Sequence, residues 1–371
     1  MTPEACDDCL RRPLLLRLLA PYIEVVVADR RGSRCAELLR LGDRQLVSAI
    51  APAKAAELHG AAAALDVPGL RNELKRLGLW ACCWHDAAFP EGLADAADGP
   101  RALLARGSPE LLRSLERRNA VTVVGSRRGS SYGLGMARDL SRQLAASGTI
   151  VVSGMANGID AAAHEGALDA GGATVAVLGG GPERAYPRRG AALYRRIAAT
   201  GLVLSELAPG SGGWRWIFPA RNRVMAALAG MTVVVEAAER SGSLITAEMA
   251  SDLGREVGAV PGPATSWLSA GCNRLLREGA AVVRDGQDVL DTMLGPGHAP
   301  VVSRGAQIDG EHARVLELLG QDGATCDSVA TAARLPAPTA AARLARLELL
   351  GYARGDAAGR YFRTLLEAPD G

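Results

Sequence analysis

Lysine is nearly missing from this 371-residue chain: Lys54 and Lys75 are the whole complement, and arginine supplies every other basic side chain. That bias is compatible with a GC-rich gene and assigns no partner by itself. Aromatic residues are also scarce, at 4% of the chain. Neither charge sign dominates, since 42 Lys and Arg face 40 Asp and Glu, so any surface for a polyanion must be local. No run of 18 apolar residues occurs, and the N-terminus lacks the apolar core and cleavage pattern of a signal peptide. A reducing cytoplasm is the expected setting and no membrane partner is expected. The seven cysteines include the pair Cys6 and Cys9, spaced CxxC, and the adjacent Cys82 and Cys83. A structural zinc needs a closed set of four ligands, and no second CxxC or HxxxH accompanies the first. The spacing therefore predicts free thiols, with no metal site and no cofactor.

What is present is a sizeable apolar fraction, 48% of residues against 22% charged, enough for two or three globular units. Residues 1–80 carry leucine and alanine at helical spacing, as in "RRPLLLRLLA" and "APAKAAELHGAAAAL", and predict a small helical domain. Residues 81–118 are punctuated by Pro, Gly and Asp and read as a connecting or edge segment. Over 119–292 short apolar runs ("AVTVVG", "TIVVSG", "ATVAVLGG", "GLVLSEL", "MTVVVEA", "REVGAVPG", "AAVVRDG") alternate with helix-like stretches. Strands without inside/outside alternation are buried on both faces, so the fold class is α/β, a Rossmann-like doubly wound, mostly parallel sheet. A Pro/Gly-containing linker over 293–308 then leads to 309–371, whose three helices and two-stranded wing predict a winged helix.

The first strand runs into "VVGSRRGSSYG", which has the look of a phosphate-binding turn. A dinucleotide fingerprint requires GxGxxG directly after the strand and an acidic residue about 20 positions on. Here "GSRRG" intervenes, and the second strand ends in Ser153 and Gly154 instead of Asp or Glu. What remains is a helix N-terminus with Arg127 and Arg128 beside it, suited to an anion. Loops after parallel strands share one edge, so "SGMANGID", "GGGPERAYP", "WRWIFPARNR" and "ERSGSLITAE" are expected to gather there. They bring Arg215, Arg221 and Arg223 together with Trp214, Trp216 and Phe218. Guanidinium forks for phosphates and flat rings for bases are what a single nucleic-acid strand requires.

Together these motifs, with "FPARNRVMAAL" and "AGCNRLLREGA", occur in the order seen in the DprA/Smf family of DNA-processing proteins, and the chain resembles that family over roughly residues 80–290. The resemblance implies that the N-terminal helices form a SAM-like domain and the C-terminal segment the family's winged helix. It implies a protein that binds and protects single-stranded DNA without catalysis, loads the RecA recombinase during natural transformation or related recombination, and pairs as a homodimer. Carried over by motif, the strand-binding residues are Gly125, Ser126 and Arg127; Ser153 and Gly154; Arg215 and Phe218; Arg221, Asn222 and Arg223; and Ser241, Gly242, Ser243 and Thr246. Asn157 and Asp160 lie in the NGID motif, where a carboxylate facing phosphates would repel them, so Asp160 is expected to brace a loop. The stretch "PYIEVVVADRRGS" stands where the family's helix-turn pair would run and departs from that pattern, so the resemblance assigns the N-terminal domain no role.

Two other readings stay open. Phosphoribohydrolases that resemble lysine decarboxylase-like proteins use PGGxGT followed by glutamate, and "RSGSLITAE" with Glu248 echoes it without the double glycine. A buried Glu236 is then either its partner or a structural brace. The winged helix, with Arg343 and Arg346 in "PTAAARLARLELL", could alternatively read duplex DNA in a regulator that senses a nucleotide. His164 in "AAAHEGAL" is expected to be structural.

Overall fold

Helix-forming sequence covers the first 77 residues, and the computed structural model of the chain, which describes residues 2–28, 34–296, 307–320, 323–356, 358–364 and 366, places five α-helices there. These are α1 (Asp7–Ala28), α2 (Arg34–Leu39), α3 (Asp43–Ile50), α4 (Ala55–Ala63) and α5 (Val67–Leu77). Pro13 and Pro21 lie inside α1 and each removes one intrahelical donor. Burial of Leu15, Leu16, Leu19 and Ile23 against α2 and α3 still holds the helix. Of the stretch that departs from the family's pattern, residues 21–28 continue α1, while 29–33 lie outside the described residues. The Asp66 side chain accepts from the Gly69 amide to start α5, and Gly78, at φ 65°, ends it.

The 81–118 stretch does more than connect. β1 (Trp80–Cys83), α6 (Glu91–Ala94), β2 (Ala102–Gly107) and α7 (Pro109–Ser114) follow one another, and both strands join the large sheet. Next come β3 (Ala120–Val124), α8 (Ser131–Ala146), β4 (Ile150–Ser153), α9 (Ile159–Asp169), β5 (Thr174–Val177), α10 (Ala191–Thr200) and β6 (Leu202–Ser205). Then α11 (Ile217–Leu228), β7 (Met231–Val234), α12 (Gly242–Asp252), β8 (Glu256–Ala259), α13 (Ala270–Arg277), β9 (Ala281–Val282) and α14 (Gly286–Leu294) complete the unit.

The sheet has nine strands in the order β1-β2-β6-β5-β4-β3-β7-β8-β9. Pairings from β6 to β9 are parallel, and β2 joins β6 and β1 antiparallel. The doubly wound α/β expectation is met. Alternate residues of each strand enter separate cores: Val124, Val152, Val177 and Val234 on one face, Val121, Val123, Val151 and Val233 on the other. Burial on both faces is why the strands read as continuous apolar runs. From β3 the chain builds β4, β5 and β6 on one side, then crosses to β7 on the other. The topological switch point therefore lies between the carboxyl ends of β3 and β7, where such sheets open a crevice.

One buried polar chain crosses this core. Thr174 Oγ1 donates to the Val151 carbonyl at 2.8 Å and lies 2.7 Å from His164 Nδ1, on α9. Burial first, then the nearby Arg221, pushes the His164 pKa down to about 3, consistent with a structural residue. The unfolded chain takes up a proton near pH 6.5 that the folded chain refuses until about pH 3, so stability falls as pH falls through that window. The slope from this residue is about 0.7 kcal/mol per pH unit at about pH 6.5 and approaches about 1.4 between about pH 5.5 and 4. Urea unfolding at stepped pH should show it, and His164→Gln should flatten it; an equal slope in both proteins contradicts the assignment.

The C-terminal unit contains α15 (Gly310–Glu317), β10 (Ala324–Thr325), α16 (Cys326–Ala333), α17 (Ala337–Leu349), β11 (Ala353–Gly355) and β12 (Arg360–Arg363). Val315, Val329, Leu344, Leu347 and Tyr352 form its own core. This is the expected winged helix, with β10 adding a third strand to the wing in the order β10-β12-β11. Residues 297–306 of the expected linker lie outside the described residues. The wing reaches the sheet domain where the Arg354 guanidinium donates to the Ser131 carbonyl at the start of α8.

Candidate nucleic-acid interface

Gly125 leaves β3 at a point where a Cβ would meet Ile159 Cγ1 at 2.7 Å and the Glu236 carbonyl at 2.9 Å, so only glycine fits. The turn that follows is closed from within. Ser126 N–H donates to the Glu236 carbonyl at 2.7 Å, and Arg128 N–H to Ser126 Oγ at 3.1 Å. The Glu236 carboxylate accepts from both the amide and the hydroxyl of Ser130, each at 2.7 Å. Gly133 makes room for it, since a Cβ there would lie 2.7 Å from Glu236 Oε2. The N-terminus of α8, where a dinucleotide fold holds its pyrophosphate, thus already faces a carboxylate. What the turn offers an anion is the exposed side chains of Arg127 and Arg128.

Across the switch point, α12 starts after Ser241 with no acidic residue in its first turn. Ser243 N–H donates to Ser241 Oγ at 3.4 Å, the two hydroxyls are 2.8 Å apart, and Asn222 Nδ2 donates to the Gly242 carbonyl at 3.3 Å. This helix start keeps its positive end for a ligand. Between the two loops lies an open cavity of about 550 Å³. Its lining includes Gly125, Ser126, Arg127, Arg128, Phe218, Arg221, Asn222, Arg240, Ser241, Gly242, Ser243, Thr246 and Trp267. The Arg127 guanidinium sits over the Phe218 ring at 4.9 Å, and Tyr186 packs beside that ring at 5.7 Å.

Not every expected residue faces this cavity. Arg221 is buried in its floor and donates to the carbonyls of Gly154, at 2.5 Å, and Val177, at 2.9 Å, tying the ends of β4 and β5. Asp160 lies beneath it and accepts from the Ala156 amide. Burial raises the Asp160 pKa, with Arg221 opposing, so its role is the expected loop brace. Gly154 is the space Arg221 needs: a Cβ there would lie 1.6 Å from Arg221 Nη1. Gly154→Ala is therefore expected to cost about 1–3 kcal/mol of stability. Thermal unfolding of that variant checks it, and an unchanged midpoint contradicts it.

Ser153 Oγ donates to the Val123 carbonyl at 2.7 Å and is fully buried between β4 and β3. Arg223 points the other way, into the molecule, and donates to Glu206 Oε2 at 2.5 Å with both side chains buried. Neither can touch a strand in this arrangement. Trp216 is core as well: its Nε1 donates to the Ala20 carbonyl at 3.2 Å, while Glu24 accepts from the amides of Arg215 and Trp216 at 2.9 and 3.1 Å. Half-buried Trp214 packs against the same cluster. Arg215 is exposed but outside the cavity, one turn ahead of Phe218, whose amide donates to its carbonyl at 3.3 Å. Sequence reasoning passed over Arg240 and Trp267, the latter 70% exposed at the rim. Both follow carboxyl ends of strands, β7 and β8, and counting arginines and aromatics in every such loop would have found them.

The sequence profile of the family described as DNA recombination-mediator protein A matches residues 80–294. The chain belongs to the DprA/Smf family. The DprA winged helix domain matches residues 299–359. The DNA processing protein DprA of Streptococcus pneumoniae is 43% identical over 205 residues, 55% of this chain and 71% of that protein. A DprA protein of Mycobacterium tuberculosis is 42% identical over 240 residues, 63% of this chain, and the match spans 62% of that relative's length. The X-ray structure of the S. pneumoniae protein superposes with TM-score 0.61 at 32% identity, covering 77% of this chain and 98% of that one. A structure of the Helicobacter pylori DNA processing protein A, determined for its single-stranded DNA binding mode, superposes with TM-score 0.51 at 29% identity, over 57% of this chain and 94% of that one.

Proposed function

We propose that the chain binds single-stranded DNA without regard to sequence along the carboxyl edge of its sheet, protects it, and loads RecA recombinase onto it in natural transformation or recombination. The observation that carries this reading is the cavity at the switch point. Exposed Arg127, Arg128 and Arg240 ring it, and Phe218 and Trp267 offer rings that any base can stack upon. Phosphates run past the arginines and the start of α12, and Arg221 in the floor adds a fixed positive charge. RecA loading, a homodimer and a place in the cytoplasm belong to the same proposal and are supported by the family membership alone.

Two further features favour binding over hydrolysis. Glu236 is engaged with Ser130, and Glu248 lines a different cavity on the flank of α12. A glycosidic hydrolase needs a carboxylate free to act at the bond, and the switch-point cavity contains, among the described residues, only the buried Asp160. In the winged helix, Arg343 is paired with Glu311 on α15, which leaves the duplex-reading helix a weaker case.

The test is competition against labelled oligo-dT by fluorescence anisotropy. Unlabelled single strand should displace the probe, while duplex of equal length and nucleoside monophosphates should not. Preferential displacement by duplex, or cleavage of the mononucleotide, contradicts the proposal.

A further inference from the structure

Four ligand-type side chains far apart in sequence meet where the chain's start lies against the edge strand of the sheet. Cys6 and Cys9 span the entry into α1, Cys83 ends β1, and His85 follows it. One ligand atom from each lies within 4.8 Å of all the others. His85 Nδ1 is 3.4 Å from Cys6 Sγ and 3.5 Å from Cys9 Sγ, and Cys83 Sγ is 4.0 Å from Cys6 Sγ. In a tetrahedral zinc site with Zn–S of about 2.3 Å and Zn–N of about 2.0 Å, the sulfur–sulfur edges are about 3.8 Å and the sulfur–nitrogen edges about 3.5 Å. These three separations are close to the edges of such a tetrahedron, and the remaining three are no longer than 4.8 Å.

Contacts outside the cluster hold them there. Glu4 forms a parallel bridge to Ala81 in β1, and its amide donates to Asp86 Oδ2 at 3.2 Å, just past His85. Arg71 grips the same leading segment through Glu4, Asp7 and the Ala5 carbonyl. Cys9 and Cys83 are buried, while Cys6 and His85 remain within reach of solvent, which gives an ion its way in. Oxidation of any two of the three thiols would strand the third, whereas a soft divalent ion uses all three with the imidazole.

We propose that Cys6, Cys9, Cys83 and His85 bind one zinc ion in a closed site that staples the N-terminal helix to the edge of the sheet. The three thiols release their protons to solvent on binding, and the imidazole binds neutral. With four protein ligands no coordination position is left open, so the role is structural.

The full chain, purified under reducing conditions without chelator from zinc-supplemented cells, should carry about one zinc per chain by elemental analysis. Cys9→Ser and His85→Asn should each weaken zinc affinity by at least about tenfold, the loss that removing even an outer hydrogen-bond partner causes, and so lower the zinc retained after dialysis against a competing chelator. Because a variant could fail to fold, the wild type carries a second readout. Treatment with an organomercurial should release zinc to a colorimetric chelator in step with thiol modification, and cobalt exchange should give the thiolate-to-cobalt charge-transfer band. Wild-type protein with only trace metal and no cobalt band, whether its thiols prove free or disulfide-bonded, overturns the proposal. So does undiminished zinc in folded Cys9→Ser and His85→Asn proteins.

Discussion

Phe218→Ala should weaken binding of a single strand by about 1–3 kcal/mol, roughly five- to 150-fold, because it removes the ring on which a base stacks. Arg127→Ala should act in the same direction for two reasons. It removes a cation at the phosphates, and it removes the guanidinium 4.9 Å above the Phe218 ring, which sets how that ring is presented. The two changes share one contact, so their effects should not add, and a double-mutant cycle read by anisotropy should return a coupling of about 0.5 kcal/mol or more. Both losses should be alike for oligo-dT and mixed-sequence strands. An effect confined to one base composition, or none at all, contradicts the stacking role.

The second large effect falls on stability. Arg223→Ala leaves Glu206 buried without its partner, and breaking such a pair costs about 3–5 kcal/mol. The expected result is a sharply lower urea midpoint, with the folded fraction still binding oligo-dT at near wild-type affinity. Removing both charges with size-matched apolar residues, Arg223→Met with Glu206→Leu, should recover much of the loss. An Arg223→Ala protein as stable as the wild type yet unable to bind DNA would show that this arginine faces the strand.

Arg223 also marks where reading the sequence stops. "ARNR" is a basic motif in one dimension, but α11 is enclosed by the sheet on one side and by α2 and α6 on others, so positions 221 to 228 are all buried. Arginines at 221 and 223 then serve carbonyls and a carboxylate inside the molecule. The seven parallel strands were legible because strands covered on both faces must be apolar throughout. β1 and β2 were not, since "WACC" and "ALLARG" lack the β-branched residues that mark a strand. In the same way "GSRRG" was legible as an anion-holding turn, but the sequence did not reveal that Glu236 fills the helix end behind it. That residue lies beyond three intervening strands and is brought there only by the crossover at the switch point. The cysteine cluster escaped for a related reason: its second half is a Cys-x-His pair on another element, outside the spacings that announce a zinc site.

In the proposed binding mode, arginine side chains at the switch point carry the strand's phosphates. Oligo-dT affinity across a salt series, for the wild type and for Arg127→Ala with Arg240→Ala, reads this charge contact. Each phosphate neutralised contributes about −0.7 to the slope of log affinity against log salt. The double variant should bind more weakly, with a slope shallower by about 1.4. A slope equal to that of the wild type would place the phosphates elsewhere on the protein.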